Sequence, residues 1–219
     1  QDTEEDLVFG NVQLGAYKYT SKIIRVPIEL MQDSAFNLES YIVAKFGERL
    51  GRATAAHYAA GTGSGQPTGL NGATSGKTAA ATGAVTYLEL LDLKHSVDPA
   101  YRGGASFVMN DATFLAVKQL LDGDSRPLWQ PDVAAGSPGF IDGSPYIIDQ
   151  GLPAMAASAK PIVYGDLSGY WIRDVAGITV TRMVERYADF HQVGFVAIMR
   201  TDAGIVNGTG LRAMTMAAV

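Results

Sequence analysis

Histidine is the side chain most often used as a general base or metal ligand, and this chain has three, His57, His95 and His191. None stands in a His-x3-His or His-Glu-x-x-His spacing, so no metal pair is encoded on one helical face. His57 falls late in a long predicted helix and His95 near the end of the next, where a packed or solvent-facing imidazole is the common role. Ser75-Gly76-Lys77-Thr78 ends like a phosphate-binding loop, but that motif needs a glycine where this chain has Asn71. Gly61, Gly63 and Gly65 follow a helix, whereas a dinucleotide-binding fingerprint follows a strand, so they read as a linker. The carboxylates are scattered, and nothing favours the acid and base pair of a glycosidase. Tyr17 and Tyr19 flank Lys18 and come just before Lys22. Such a stretch could stack single-stranded nucleic acid, yet an aromatic extended arm more commonly meets another protein.

The elements that carry these residues follow from the hydrophobic period. Val12, Leu14 and Ala16, then Ile24, Val26, Ile28 and Leu30, alternate with their neighbours, which predicts an extended arm or hairpin leg. From Asp33 the period becomes helical, with Leu38, Ile42, Phe46 and Leu50 on one stripe that Tyr41 and Ala53 widen. Asp33, Ser34 or Asn37 can cap its start and Gly61 its end, giving a helix long enough to act as a spine. A turn-rich run at 61–72 leads into a polar stretch that ends at Gly83. Thr86-Tyr-Leu-Glu89 has capping-box spacing and opens a second helix. Ser106–Met109 predicts a short strand, and Asn110 caps a helix expected to reach Leu121, so this part reads as a mixed α/β module. Residues 122–139 predict a long loop around Trp129, of a length that usually binds something or moves. Strands are predicted beyond it, at 146–149, 162–164, 170–173, 178–184, 193–200 and 211–216.

The 219 residues hold 17 Lys+Arg against 22 Asp+Glu, a formal net charge of -5. A domain that binds nucleic acid by neutralising phosphate would be strongly basic, so that class is excluded. The length suits one domain or two small ones and is enough to bury a core without disulfide or metal. Cysteine is absent, which removes disulfides, thiolate nucleophiles and Cys-based zinc sites and mildly favours a reducing compartment. Charged residues make up 18%, below the ~25% typical of soluble domains, and 47% are hydrophobic, which predicts that other subunits cover part of the surface. No apolar run approaches the ~20 residues of a membrane span, and the acidic start Gln1-Asp-Thr-Glu-Glu-Asp6 lacks the basic flank of a signal peptide. The chain opens on Gln1 and soon reads as strand, which predicts a processed product or a shortened chain.

The runs QDSAFNLESY (32–41), AGTGSGQPTGL (60–70), VMNDA (108–112), GDSRPLWQP (123–131), KPIVYGD (160–166) and QVGF (192–195) occur in this order. Together they resemble the major capsid protein family of tailed phages. The resemblance implies an α+β fold of the Hong Kong ninety-seven type, shared with encapsulin nanocompartments. In that fold a peripheral domain carries a spine helix and a β-hairpin, and a mixed α/β axial domain points its loops at the capsomer centre. It implies residues 1–24 as the second leg of the extended loop that lies over a neighbour, 25–62 as the peripheral domain with its spine helix, 63–176 as the axial domain, 177–210 as returning peripheral strands and 211–219 as an axial strand. The implied function is structural, not enzymatic: a shell subunit of a phage or prophage head, in hexamers and pentamers of an icosahedral shell, assembled in the bacterial host cytoplasm and ending in the virion capsid.

Implied partners are copies of the same chain, a scaffolding or pro-segment, a portal and a maturation protease. Packaged DNA is met only by weak non-specific contact, and no membrane, cofactor or metal is implied. Expected subunit contacts are Tyr17, Lys18, Tyr19 and Lys22 on the arm and Arg126, Trp129 and Asp132 on the long loop, with Trp129 as the apolar anchor. The alternatives are an encapsulin-like nanocompartment shell and, from another class, an α/β hydrolase-like enzyme using His191 or His95. Some relatives seal their shells with a Lys–Asn isopeptide bond. Its three positions fall here on Asp2, Val193 and Arg200, none of which carries the required group, so a shell without that bond is expected. With the first leg of the extended loop missing ahead of Gln1, the chain alone is expected to stay a monomer or a small ring.

Overall fold

The structure is a computed structural model that describes residues 12–124, 126, 128 and 140–218. Its arm is less extended than the alternating pattern predicts. Tyr17–Thr20 (β1) and Ile24–Pro27 (β2) are strands, but Ile28–Asp33 forms a helix (α1). Pro27 has no N–H to offer a strand, and its φ of -58 suits a helix start, so the chain turns although the apolar alternation runs on through Ile28 and Leu30.

Leu38–Ala60 (α2) follows, capped by the Asn37 side chain, which accepts from the Ser40 N–H at 3.0 Å. At 23 residues it runs about 34 Å at ~1.5 Å per residue. Ile42, Phe46 and Leu50 are buried against Val26, Val193, Phe195 and Ala197. Ala59, near its other end, joins a different cluster with Ala73, Val108, Val163, Leu211 and Ala213. One helix therefore serves two cores. It stops at Gly61, whose N–H donates to the His57 carbonyl at 2.7 Å and where a Cβ would lie 2.1 Å from the Pro67 carbonyl oxygen. Only glycine lets the next loop fold back this closely.

The remaining elements are Ser75–Thr78 (β3), Tyr87–His95 (α3), Ser106–Met109 (β4), Asp111–Lys118 (α4), Phe140–Ile141 (β5), Ser144–Ile148 (β6), Ile162–Gly165 (β7), Tyr170–Met183 (β8), Gln192–Ile205 (β9) and Leu211–Thr215 (β10). In a four-stranded antiparallel sheet β9 is central, with β8 along one side and β1 and β2 sharing the other. The strands predicted at 170–173 and 178–184 are one strand, β8, with a bulge between Val175 and Thr179. Ala176 (φ 60) and Gly177 (φ 64) take left-handed backbone there, which lets the strand absorb the extra residues without losing its partner.

The second sheet is six-stranded and mixed, in the order β3-β10-β7-β4-β6-β5. Phe107, Met109, Ile162, Tyr164 and Met214 pack on α3 and α4 through Leu90, Leu93, Phe114 and Val117. The alternate residues Val108, Val163 and Ala213 face the end of α2. Both faces are covered, so β4 and β7 read as short continuous apolar runs rather than alternating ones. The polar Ser75–Thr78 segment gives no strand signal; it is a strand because it completes the edge of β10 in parallel. α4 ends at Lys118 rather than Leu121, since Gln119 leaves helical backbone (φ -84, ψ 2).

α3 opens with the capping box expected from the sequence. Thr86 Oγ1 accepts from the Glu89 N–H at 3.3 Å, and Glu89 accepts from the Thr86 N–H at 2.7 Å. The other carboxylate oxygen accepts from the Ala80 N–H at 2.6 Å, tying the preceding loop to the helix. Burial pushes the Glu89 carboxyl up, but the donors at Ala80 and Thr86 outweigh it and hold the pKa below the ordinary 4.5. A lowered folded-state pKa gives stability that is present above the unfolded value and lost as pH falls through the folded one. Glu89→Gln is expected to cost about 1–3 kcal/mol at neutral pH in urea denaturation. The difference from the parent should begin to shrink as pH falls below the ordinary carboxylate value and close only below the lowered folded-state one.

Candidate subunit-contact surfaces

The register of β1 on β9 sorts the arm residues by face. Tyr17 and Tyr19 stand opposite Thr201 and Met199, on the side covered by α2. The Tyr17 hydroxyl donates to the Gly63 carbonyl at 3.1 Å, and the Tyr19 hydroxyl lies 2.6 Å from His57 Nδ1. Burial raises the Tyr19 phenol above its usual pKa, as it does more strongly for Tyr170. Tyr170 donates to the Tyr58 and Thr68 carbonyls at 3.1 and 2.8 Å, tying β8 to the end of α2.

Lys18 points to the opposite face, directly across from Arg200. Both are exposed, and neither enters an ion pair among the described residues. Like charges placed opposite each other on a sheet repel, so this face suits an anionic partner. Lys22, between β1 and β2, is exposed as well. Arg126 is exposed and paired with Asp124 at 2.8 Å. Trp129 and Asp132 lie outside the described residues, as does Asp2.

The features that first suggested catalysis have structural roles. His57 is held by Tyr19, His95 Nδ1 lies 3.2 Å from Arg102 Nη1, and His191 occupies a left-handed turn (φ 50) before β9. Among the described residues no cluster of His, Asp and Glu is placed to hold a metal ion. Ser75–Thr78 is an edge strand, whose extended backbone cannot wrap a phosphate, and Lys77 is paired with Asp92 at 2.6 Å.

An exposed apolar groove was not expected from the sequence. Ile24, Val26, Leu30, Leu38, Tyr41 and Ile42 line a cavity of about 310 Å³ between β2, α1 and the start of α2. Leu30 and Tyr41 are each 53% exposed. Lys45 lies at its rim and, with Arg49 and Arg52, continues along the open side of α2 around Glu48, which pairs with Lys45 at 2.9 Å and with Arg52 at 2.7 Å. The signal was present in the sequence as an apolar stripe on the helix wider than one buried face, with Tyr41 at its margin.

A family model described as the phage capsid family matches residues 1–216. The chain belongs to the phage capsid family. Among solved structures, the capsid of an empty GTA particle computed with C5 symmetry is 27% identical, with 94% of this chain and 75% of that chain covered at a TM-score of 0.82. The capsid of the native GTA particle is also 27% identical, with 94% and 74% covered and a TM-score of 0.83. A chain of Microbacterium phage Oxtober96 is 15% identical, with 93% and 73% covered and a TM-score of 0.69, and shows the fold alone. A search of curated proteins gives no match. The capsid subunit is thus a structural shell protein with the α+β fold of the Hong Kong ninety-seven type, and neither the hydrolase-like reading nor the encapsulin-like one is favoured. No helix among its described residues is long and apolar enough to cross a membrane.

Proposed function

We propose that copies of this capsid subunit close an icosahedral head of hexamers and pentamers, each copy laying its arm on a neighbour. The observation that carries this reading is one of reach. Residues 2–9 read DTEEDLVF, carboxylates followed by Leu7, Val8 and Phe9. The groove beside β2 is apolar, and along its margin Lys45, Arg49 and Arg52 outnumber Glu48, which pairs with Lys45 and Arg52, so segment and groove match in apolar character and in the sign of the net charge. Val12 and Leu14 lie near Gly204, at the end of β9, whereas β2 pairs with its beginning at Phe195. About 30 Å of strand separates the two places at ~3.3 Å per residue. Phe9 stands only a few residues before Val12 and extends at most about 10 Å from it. Leu7, the farthest of the three apolar residues, extends at most about 18 Å from Val12, so the apolar part of the segment falls short of its own groove and fits that of another copy.

The absence of cysteine makes the contact testable. Mixing Phe9→Cys with Tyr41→Cys chains under mild oxidation is expected to give disulfide-linked pairs only from the mixture. No linkage in the mixture, or efficient linkage inside one chain carrying both substitutions, would overturn the assignment.

The same reading divides the subunit as 1–24 for the second leg of the extended loop, 25–62 and 177–210 for the peripheral domain, and 63–176 and 211–219 for the axial domain. The reach of α2 into two cores supports it. Lys18 and Lys22 face the neighbour, and Tyr17 and Tyr19 hold the arm that presents them. Arg126, with Trp129 and Asp132, belongs to the loop at the capsomer centre. Assembly takes place in the host cytoplasm with a scaffolding or pro-segment, a portal and a maturation protease. Packaged DNA is contacted weakly, in keeping with a net charge of -5. A shell without Lys–Asn links is favoured by the burial of Val193 against α2 and by the charge of Arg200.

A further inference from the structure

β1 leaves β9 abruptly. Its ladder ends at Tyr17 opposite Thr201, and the Ala203 carbonyl beyond it accepts from the Thr68 N–H at 3.1 Å. The glycine-rich loop after α2 thus occupies the edge that the arm would otherwise follow. Three contacts catch the displaced arm. Asp202 Oδ2 accepts from the Gly15 N–H. Arg173 Nη1 donates to the Leu14 and Gly15 carbonyls at 2.6 and 3.0 Å. Leu14 packs at Gly204, where a Cβ would meet Leu14 Cδ2 at 3.3 Å.

Arg173 and Asp202 are register partners on β8 and β9, so they share a face, the one turned away from α2. Opposite charges so placed usually close on each other. Here both are directed to the backbone of the arm. Asp202 is 7% exposed, and its second oxygen accepts from the Ala203 N–H at 2.8 Å, which fixes the carboxylate.

We infer that Arg173 and Asp202 are positioning residues: they clasp the arm at Leu14 and Gly15 and set the direction in which it leaves the subunit before any neighbour is met. The inference rests on the reading that the arm serves a neighbouring copy. An arm already aimed has less freedom to lose on association, so assembly is faster and more selective.

The test uses the folded, unassembled subunit, with nitroxide labels at Gln13→Cys and Ala44→Cys and their separation measured by double electron–electron resonance. The parent should give one narrow distance distribution. Arg173→Leu and the milder Asp202→Asn should broaden it, and amide exchange at Gly15 should quicken by about tenfold or more. In Arg173→Leu, at an exposed side chain, the urea midpoint should stay at the parent value while the distribution broadens, which a purely structural role would not allow; Asp202→Asn, at a buried carboxylate, should lower it somewhat, and Arg173→Lys should restore part of the narrow distribution. An unchanged distribution with unchanged Gly15 exchange in both variants overturns the clasp. Broadening that comes only with a lowered urea midpoint in both variants overturns it too. These readouts come from single subunits, so they stand or fall separately from the Phe9 to Tyr41 linkage, which tests the neighbour contact.

Discussion

Phe46→Ala is expected to remove about 3–5 kcal/mol of unfolding free energy. The Phe46 ring is 1% exposed and sits where α2 meets the sheet, in one cluster with Val26, Val193 and the fully buried Phe195. Losing it strips apolar area and leaves a void. The void cannot close easily, because one wall is a 23-residue helix that is also seated on the second core through Ala59. Against a typical total of about 5–15 kcal/mol, such a loss brings the subunit close to unfolding at ambient temperature. Urea denaturation should show a large drop in midpoint, and particle yield should fall with it. A cost under about 1 kcal/mol would mean that α2 is not docked on β2 and β9 as described.

Gly165→Ala is the second large effect, and its cause is excess rather than loss. Gly165 has a φ of 149 and faces Leu211 across the β7–β10 ladder. A Cβ there would lie 2.0 Å from the Gly210 carbonyl oxygen and 2.8 Å from Leu211 Cα. Both obstacles are backbone, so no rotamer change relieves them and two inner strands must part. Overpacking and left-handed strain together should cost about 2–4 kcal/mol. Gly47→Ala makes the contrast in the same denaturation series. That glycine lies within α2 with nothing within 4 Å of the added carbon, so the substitution should be neutral or stabilise by up to about 1 kcal/mol. If the two variants behave alike, steric closure at Gly165 is not what holds β7 against β10.

Much of this fold is legible in the residues because local and tertiary preferences agree. The α2 stripe, the Thr86 and Glu89 capping box and the Asn110 cap each state a local rule that packing then respects. The misses occur where one competing force wins. Ile28 and Leu30 continue a strand-like alternation, but Pro27 turns the chain into α1. Ser75–Thr78 has no apolar period and becomes β3 only because β10 offers an edge. The two short strands expected around Ala176 merge, since a pair of left-handed residues carries β8 through its bulge. The candidate contact surfaces are only half visible in the sequence. Lys18 could be named from its position in an arm, whereas its opposition to Arg200 depends on a register that no local pattern reveals. The clasp is hidden for the same reason: Arg173, Asp202 and Gly15 meet only once three distant segments are folded together.

The most direct test of the shell assignment is electron cryomicroscopy of assemblies purified from cells that produce the complete gene product containing this chain. Closed particles of uniform size should appear, with five- and six-fold capsomers in which α2 and the β8–β9 hairpin can be traced and the arm of each subunit rests on the adjacent one. A soluble protein that stays monomeric at high concentration and in the presence of its co-expressed head proteins, or open filaments without five-fold vertices, would contradict it.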